Sequence, residues 1–299
     1  MAKILLCNPL FLSQSSEEQA LKSPYFPLGL LYLAGYLRDQ GHAVAIFDGT
    51  FQPGASTFEP TLHQETPGIV GITALLPTKH SALNLAQLAK NCGATVILGG
   101  PDPTRTPREY LAYPQVDIVV HHEGEETLAA LLTLHDKDQL NAENLQDELG
   151  VAFKNSEGQP VVNPPRPFIQ NLDDLPLPAR DLIDMNKYLD TWRDENGYAS
   201  LTISTTRGCP YGCEWCQNAV HGPEFRQRSP ESVAAEMKVL KEAYQIDRLR
   251  LVDDVDGLDR AWLEAWAAAA AAQEAVIPFE ALNDLKRQDI PMLDVRDTL

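Results

Sequence analysis

The absences in this chain narrow it first. No apolar run is long enough to span a bilayer. The N-terminal stretch Met1-Ala-Lys-Ile-Leu-Leu-Cys-Asn-Pro9 breaks off before it gains the apolar length and cleavage site of a secretory signal. It reads as a first buried strand, and a cytoplasmic protein is expected. Positive charge is scarce: 24 Lys and Arg stand against 42 Asp and Glu, for a net charge of −18. Nucleic-acid affinity depends on Lys and Arg neutralising phosphates, and attraction to anionic membranes depends on the same residues. Neither a general nucleic-acid binder nor a membrane-surface protein is expected. Cysteine is sparse, five in 299 residues. An odd count without an export signal argues against a disulfide framework. Cys7 and Cys92 fall in apolar patterns and read as buried packing residues.

The other three cysteines lack a fourth. Cys209, Cys213 and Cys216 lie in Arg207-Gly-Cys-Pro-Tyr-Gly-Cys-Glu-Trp-Cys-Gln217, a C-x3-C-x2-C spacing. An iron–sulfur cubane ordinarily takes four thiolates. One held by three leaves an iron open to bind and activate a small molecule. Zinc knots instead pair C-x2-C knuckles or add histidines, and His221 is the nearby histidine. On spacing alone a zinc-stabilised domain stays open as an alternative. Gly208 and Gly212 let the backbone curl tightly around a cluster.

Strand and helix patterns alternate through the first 140 residues. Ile4–Cys7, Ala43–Phe47, Ile69–Thr73, Thr95–Leu98 and Val116–Val120 read as strands, with helical spacing over Leu28–Gln40, Ser81–Asn91 and from Glu125 to about Leu134. Continuous apolar strands alternating with helices imply a parallel sheet covered on both faces. The fold class expected is α/β: a flavodoxin-like, doubly wound sheet over residues 1–140, whose ligands sit at the carboxyl ends of the strands. The loops Asp48–Gly54, Thr73–Thr78 and Gly99–Thr104 belong to that edge. Residues 141–197 are polar and proline-rich and read as a surface linker, with a small hairpin of Val151–Phe153 and Val161–Val162 around Gly158. A second βα pattern occupies 198–299. Strand Leu201–Ser204 runs into the cysteine loop, and Ser229 and Pro230 open a helix as N-cap and first-turn residue. Arg248–Val252 is the next strand, Asp259 to about Ala275 a helix, and Ile277–Glu280 a third strand. His121 and His122 follow a strand, where neighbours face opposite ways, and read as poor joint ligands.

The cysteine loop resembles the radical S-adenosylmethionine (SAM) superfamily, whose motif is C-x3-C-x-aromatic-C with Trp215 at the aromatic position. The resemblance implies a 4Fe-4S cluster on Cys209, Cys213 and Cys216, whose open iron chelates SAM. One-electron reduction by an external reductant then cleaves the sulfonium. Phe225-Arg-Gln-Arg-Ser-Pro-Glu231 and Leu251-Val-Asp-Asp254 are similar to segments of radical SAM proteins that carry an N-terminal cobalamin (B12)-binding domain. The first 140 residues resemble that domain in Pro27–Leu37, Leu98–Thr104 and Asp117–Thr127. The resemblance implies that Thr73, Leu75, Gly99 and Gly100 contact cobalamin, that Trp215 flanks the SAM adenine, and that Asp253 and Asp254 contact SAM. Two departures stand out: Thr50 occupies the position of the cobalt-ligating histidine of D-x-H-x-x-G, and Asp102 a position where relatives often have histidine.

The radical SAM part covers about half of the six βα units that the family uses. A partial half-barrel is therefore expected, shortened or completed by a partner chain. Two functions follow. One is a cobalamin-dependent radical SAM enzyme acting on a small-molecule substrate, with methyl transfer to an unactivated carbon or a cyclase-type reaction. The other is a non-catalytic cofactor-binding or subunit protein.

Overall fold

The computed structural model describes residues 3–14, 23–214, 216, 218–255 and 259–281. Short apolar runs form strands, and the helically spaced runs between them form covering helices. In chain order these are β1 (Lys3–Asn8), α1 (Leu28–Asp39), β2 (Ala43–Asp48), α2 (Phe58–Glu65), β3 (Ile69–Thr73), α3 (Lys79–Asn91), β4 (Thr95–Gly99), α4 (Pro101–Arg105), α5 (Pro107–Leu111), β5 (Ile118–Val120) and α6 (Glu125–Asp136). The five strands pair in parallel in the order β2-β1-β3-β4-β5. This is the flavodoxin-like order expected of the sequence.

Side chains alternate across a strand, and the sheet sorts its residues accordingly. Leu5, Cys7, Val70, Ile72, Val96 and Leu98 turn to the face packed by Leu62 of α2 and Leu85 of α3. Ile4, Leu6, Ile69, Ile97, Ile118 and Val120 turn to the face packed by Leu37 of α1 and Leu131 of α6. Cys7 is fully buried, and desolvation pushes its thiol well up. Cys92 departs from expectation: it caps the C-terminus of α3, beyond the buried stripe, and is exposed.

The hairpin around Gly158 forms, with Gly158 in the left-handed region at φ +76. It is more than an ornament on a linker. β6 (Val151–Lys154) pairs antiparallel with β5, and β7 (Pro160–Val162) pairs with β6, extending the sheet to seven strands. Val151 and Phe153 join the same core as Ile118 and Val120. The apolar residues 151–153 thus cover a β5 edge that would otherwise offer unpaired backbone groups.

A further helix, α7 (Met185–Asn196), lies inside the stretch read as linker. Its sequence is largely polar, yet Tyr188, Leu189 and Trp192 share one buried face. Asp184 caps it by accepting from the Lys187 N–H. The second unit continues with β8 (Ser200–Ile203), β9 (Thr206–Arg207), β10 (Arg226–Gln227), α8 (Pro230–Ala243), β11 (Arg248–Leu251), α9 (Arg260–Ala272) and β12 (Phe279–Glu280). β8, β11 and β12 form a parallel sheet in the order β12-β11-β8. Ser229 caps α8 by accepting from the Ser232 N–H, with Pro230 in the first turn, as the sequence implied. No helix among the described residues is long and apolar enough to cross a membrane.

Glu236 of α8 is fully buried between Arg180, 2.8 Å away, and Arg228. Arg180 also donates to the Thr202 carbonyl at 3.0 Å, and Arg228 to that of Ser204 at 3.0 Å. Burial works to raise the Glu236 carboxyl, but the two guanidinium groups outweigh it and hold the pKa below the usual carboxylate range. The same desolvation pushes the neighbouring Tyr32 hydroxyl up to about 12. Replacing Glu236 by Ala strands two buried cations. The expected loss is about 3–5 kcal/mol of stability, read as a lower urea midpoint at unchanged slope.

Candidate functional site

The carboxyl ends of β1, β3, β4 and β5 open into a cavity of about 380 Å³. The start of α1 forms one wall, and Arg207, Val220 and His221 of the second unit form another. A crevice at this edge is where doubly wound sheets take ligands. Thr73, Leu75, Gly99 and Gly100, the four residues assigned here from sequence, all line it. Gly100 sits at φ +100, and a Cβ there would lie 2.8 Å from Thr73 Oγ1 and 3.0 Å from the Ala74 carbonyl oxygen. Glycine is therefore required, and it leaves bare backbone facing the cavity. Bare backbone beside a mostly apolar lining suits a large flat macrocycle with a polar tail, so the donor and shape chemistry fits a corrinoid.

The loop after β2 behaves differently. Thr50 is wholly buried and does not line the cavity. Tyr188 of α7 donates to Asp48 at 2.6 Å and its hydroxyl lies 2.7 Å from that of Thr50, and Asn8 donates to both Asp48 and Thr50 at 3.0 Å. These bonds tie the end of β2 to the second unit. Asp102 likewise turns inward, where its carboxylate accepts from the Tyr110 hydroxyl.

The cysteine loop is closed at its base by the antiparallel pair β9 and β10, with Arg207 opposite Arg226. Gly208 opens the loop at φ +82, and a Cβ there would collide with the Glu224 carbonyl. Inside the loop the Cys209 N–H donates to the Gly222 carbonyl at 3.1 Å, and the Cys216 N–H to that of Cys213 at 3.1 Å. Cys209 is buried; Cys213 and Cys216 are exposed. Among the described residues no three His, Cys, Asp or Glu side chains converge to hold a metal. The loop carries the three thiols on one short arc without gathering them to a point. Thiolates repel one another, and a metal's own charge is what draws such ligands together. Three soft sulfur donors are the ligand chemistry that iron–sulfur clusters take. Trp215 lies outside the described residues.

Asp253 and Asp254 brace this loop. Asp253 accepts from Ser204 Oγ at 2.9 Å and from the N–H groups of Thr205 and Thr206 at 2.7 and 3.0 Å. It also accepts from the Thr205 hydroxyl. Its carboxylate is thus engaged with the β8–β9 turn. Asp254 accepts from the Gly208 N–H at 2.9 Å and meets His221 Nδ1 at 3.1 Å. Burial works to raise its pKa, but the bonds to His221 and Gly208 prevail and hold it low.

The residues that join cavity and loop were not paired by sequence reasoning. Arg207 donates to Glu123 at 3.0 Å and to Glu125 at 2.6 Å, while Arg226 donates to both Glu123 oxygens at 2.8 and 2.9 Å. All four side chains are at most 8% exposed. Burial works to raise the Glu125 carboxyl, yet Arg207 outweighs it and the pKa falls below the ordinary value. Both partner segments were visible as motifs, but Arg226 and Glu123 are 103 residues apart, with no local pattern to link them.

The histidine pair also corrects the sequence reading. β5 ends at Val120, and His122 adopts the left-handed region at φ +63. Strand alternation stops there, so the two rings meet with Nδ1 atoms 3.0 Å apart. His122 lines the cavity. Burial pushes both imidazoles below their ordinary pKa, with His122 adding to the effect on His121 and Glu123 opposing it at His122.

Comparison with known proteins matches residues 19–132 to the B12 binding domain and residues 203–288 to the radical SAM superfamily. The chain is 34% identical over 263 residues to an uncharacterized methyltransferase of Pyrococcus horikoshii, covering 86% of this chain and 54% of that protein. It is 27% identical to the anaerobic magnesium-protoporphyrin IX monomethyl ester cyclase of Rubrivivax gelatinosus, covering 86% of this chain and 46% of that one. The chain thus spans about half the length of the curated relatives it matches. In fold it is similar to the cobalamin-dependent SAM radical enzyme OxsB (TM-score 0.75, 19% identity, 93% of this chain and 38% of that one). It is similar also to the radical SAM methyltransferase TsrM of Kitasatospora setae (TM-score 0.70, 21% identity, 90% and 50%).

Two outcomes are expected of the loop and its clasp. Gly208→Ala displaces the Glu224 carbonyl and disorders the loop, read as lost iron uptake on anaerobic reconstitution with the first unit still folded by circular dichroism. The depressed Glu125 carboxyl contributes stability that is present above its unfolded-state pKa and lost as pH falls through the lower folded-state value. Melting temperature should therefore drop with acidification in the parent chain and be flatter in Glu125→Gln.

Proposed function

This chain belongs to the family that joins a B12-binding domain to a radical SAM domain, and from that membership we propose that it holds cobalamin in the cavity and a 4Fe-4S cluster on Cys209, Cys213 and Cys216. The observation that carries this reading is the shared wall: the cavity at the sheet's carboxyl edge is completed by Arg207, Val220 and His221, which flank the cysteine loop. Cofactors held by the two parts would be neighbours.

When bound, cluster and SAM supply a carbon radical by reductive cleavage of the sulfonium, and cobalamin supplies a transferable methyl group. The chain's own residues position and shield. Gly99 and Gly100 present backbone to the corrinoid, with Thr73 as a polar contact and Leu75 as an apolar one. Trp215 flanks the SAM adenine. Asp254 fixes Gly208 and so the entry to the ligand loop, while Asp253 fixes the preceding turn; contact of either with SAM belongs to the same proposal. The Glu123, Glu125, Arg207 and Arg226 clasp keeps water from the seam between the two parts. In this reading the cobalamin-binding part runs to the end of β7, with the radical SAM part following α7. The substrate is a small molecule, the reductant is an external one-electron donor, and methyl transfer to an unactivated carbon is the reaction we favour.

Anaerobic reconstitution tests the reading. We expect stoichiometric iron, sulfide and cobalt, and reductant-dependent conversion of SAM to 5′-deoxyadenosine. Cys213→Ala should lose the cluster's visible absorption; retained colour would refute the ligand assignment. Cobalamin uptake with SAM left intact under strong reductant would identify a binding module in place of an enzyme.

A further inference from the structure

β11 divides its side chains between two faces. Leu249, with its registered neighbours Leu201 on β8 and Phe279 on β12, joins the core packed by Met237 of α8 and Trp266 of α9. Strand alternation turns Arg250 the other way, with Thr202 and Glu280 beside it in register. Where parallel strands carry helices on one side, as in strand-and-helix barrels, the face away from the helices is the inner one. Charged residues are uncommon on such a face unless something pairs with them.

Arg250 is incompletely paired. Arg248 takes Glu280 Oε1 at 2.7 Å, and Glu280 Oε2 stays 3.8 Å from Arg250 Nε, beyond hydrogen-bond reach. Among the described residues the one hydrogen bond of the Arg250 guanidinium runs from Nη1 to the Tyr25 hydroxyl at 3.0 Å. The edge formed by Nε and Nη2 keeps its donors. Thr202 beside it is buried, and its hydroxyl has no partner among the described residues. The guanidinium is nonetheless held in place: its central carbon lies 5.4 Å from the Tyr25 ring centroid and 5.7 Å from that of Trp192. Trp192 in turn donates from Nε1 to the Pro24 carbonyl at 3.0 Å, which anchors the backbone next to Tyr25.

Tyr25 also lines the cavity. Its oxygen accepts from Arg250, which leaves its own proton to give. Tyr25 is 41% exposed and the Arg250 side chain 30%, so an incoming group reaches both. A planar carboxylate matches an open guanidinium edge in two parallel bonds, and the phenol supplies a further donor. Glu280 limits the charge that the place accepts, because a carboxylate so near disfavours a second negative charge on the guest. We propose that Arg250 and Tyr25 bind the carboxylate of a small substrate whose apolar body extends past Tyr25 toward the cavity. The substrate role rests on the function proposed above; the carboxylate site does not.

Ligand-observed magnetic resonance of the full chain with hexanoate, hexanol and dianionic hexylphosphonate tests this. Hexanoate should bind about 10–100-fold more tightly than hexanol, the usual worth of hydrogen bonds to a charged group. Arg250→Met keeps a long apolar stem between the two rings; it should melt as the parent does and bring hexanoate down to the level of hexanol. Tyr25→Phe should weaken hexanoate and leave hexanol unchanged. Glu280→Gln should shift preference toward hexylphosphonate, a change that a purely structural carboxylate would not produce. Hexanoate affinity unchanged in Arg250→Met, or a parent chain that prefers hexanol or hexylphosphonate, would overturn the site. Arg250-dependent hexanoate binding by a chain that takes up no corrinoid would overturn the substrate role together with the cobalamin reading, and leave the carboxylate site standing.

Discussion

Two carboxylates and two guanidinium groups meet out of water where the first unit faces the cysteine loop, and the position of that loop against the cavity depends on their meeting. Desolvating four charges is costly, and such a cluster adds little stability relative to a well-packed apolar contact. What it adds is geometry. Arg207 reaches two carboxylates and Arg226 grips both oxygens of one, so a shift of an ångström or two would break several charge-assisted bonds together. Glu123 and Glu125 flank the start of α6, directly after the strand that floors the cavity. Arg207 and Arg226 are the paired residues at the base of the loop. The sheet edge and the thiol-bearing arc are thereby set in one frame. The second buried group, Arg180 and Arg228 about Glu236, performs the same service beneath α8.

Around that frame the chain separates two tasks. The first unit offers backbone: glycines at strand ends, an apolar lining and few charges. The second offers side chains: sulfur donors on a loop whose entry is pinned by Asp254 and whose preceding turn is pinned by Asp253. Neither unit encloses the cavity alone, since its lining draws on α1, four strands and the region around the loop.

Much of this was legible in the residues. The alternation of buried faces, the cap at Ser229 and the placing of the loops Thr73–Thr78 and Gly99–Thr104 at the cavity edge follow from local periodicity and from the rule that such sheets bind ligands at their carboxyl ends, whereas Thr73, Leu75, Gly99 and Gly100 were singled out by the family resemblance. What was not legible depends on distant pairing or on a backbone that leaves its period. α7 hid in a polar sequence because its four buried residues, Met185, Tyr188, Leu189 and Trp192, occupy one narrow face. The hairpin around Gly158 was visible, but its partnership with β5 was not, because pairing is a tertiary choice. The histidine pair was misjudged because strand alternation was carried two residues past the strand's end, where φ changes sign. The R-x-R and Glu-Gly-Glu segments were each seen, yet a salt bridge across 103 residues leaves no trace in composition.

The cavity lies on a seam. A molecule seated there touches both units, so its binding free energy is also adhesion between them. Thermodynamic reciprocity then applies: whatever tightens the seam raises the occupant's affinity by the same factor by which the occupant tightens the seam. The guest and the charge clasp are in this sense two fasteners of one joint, and each makes the other harder to undo.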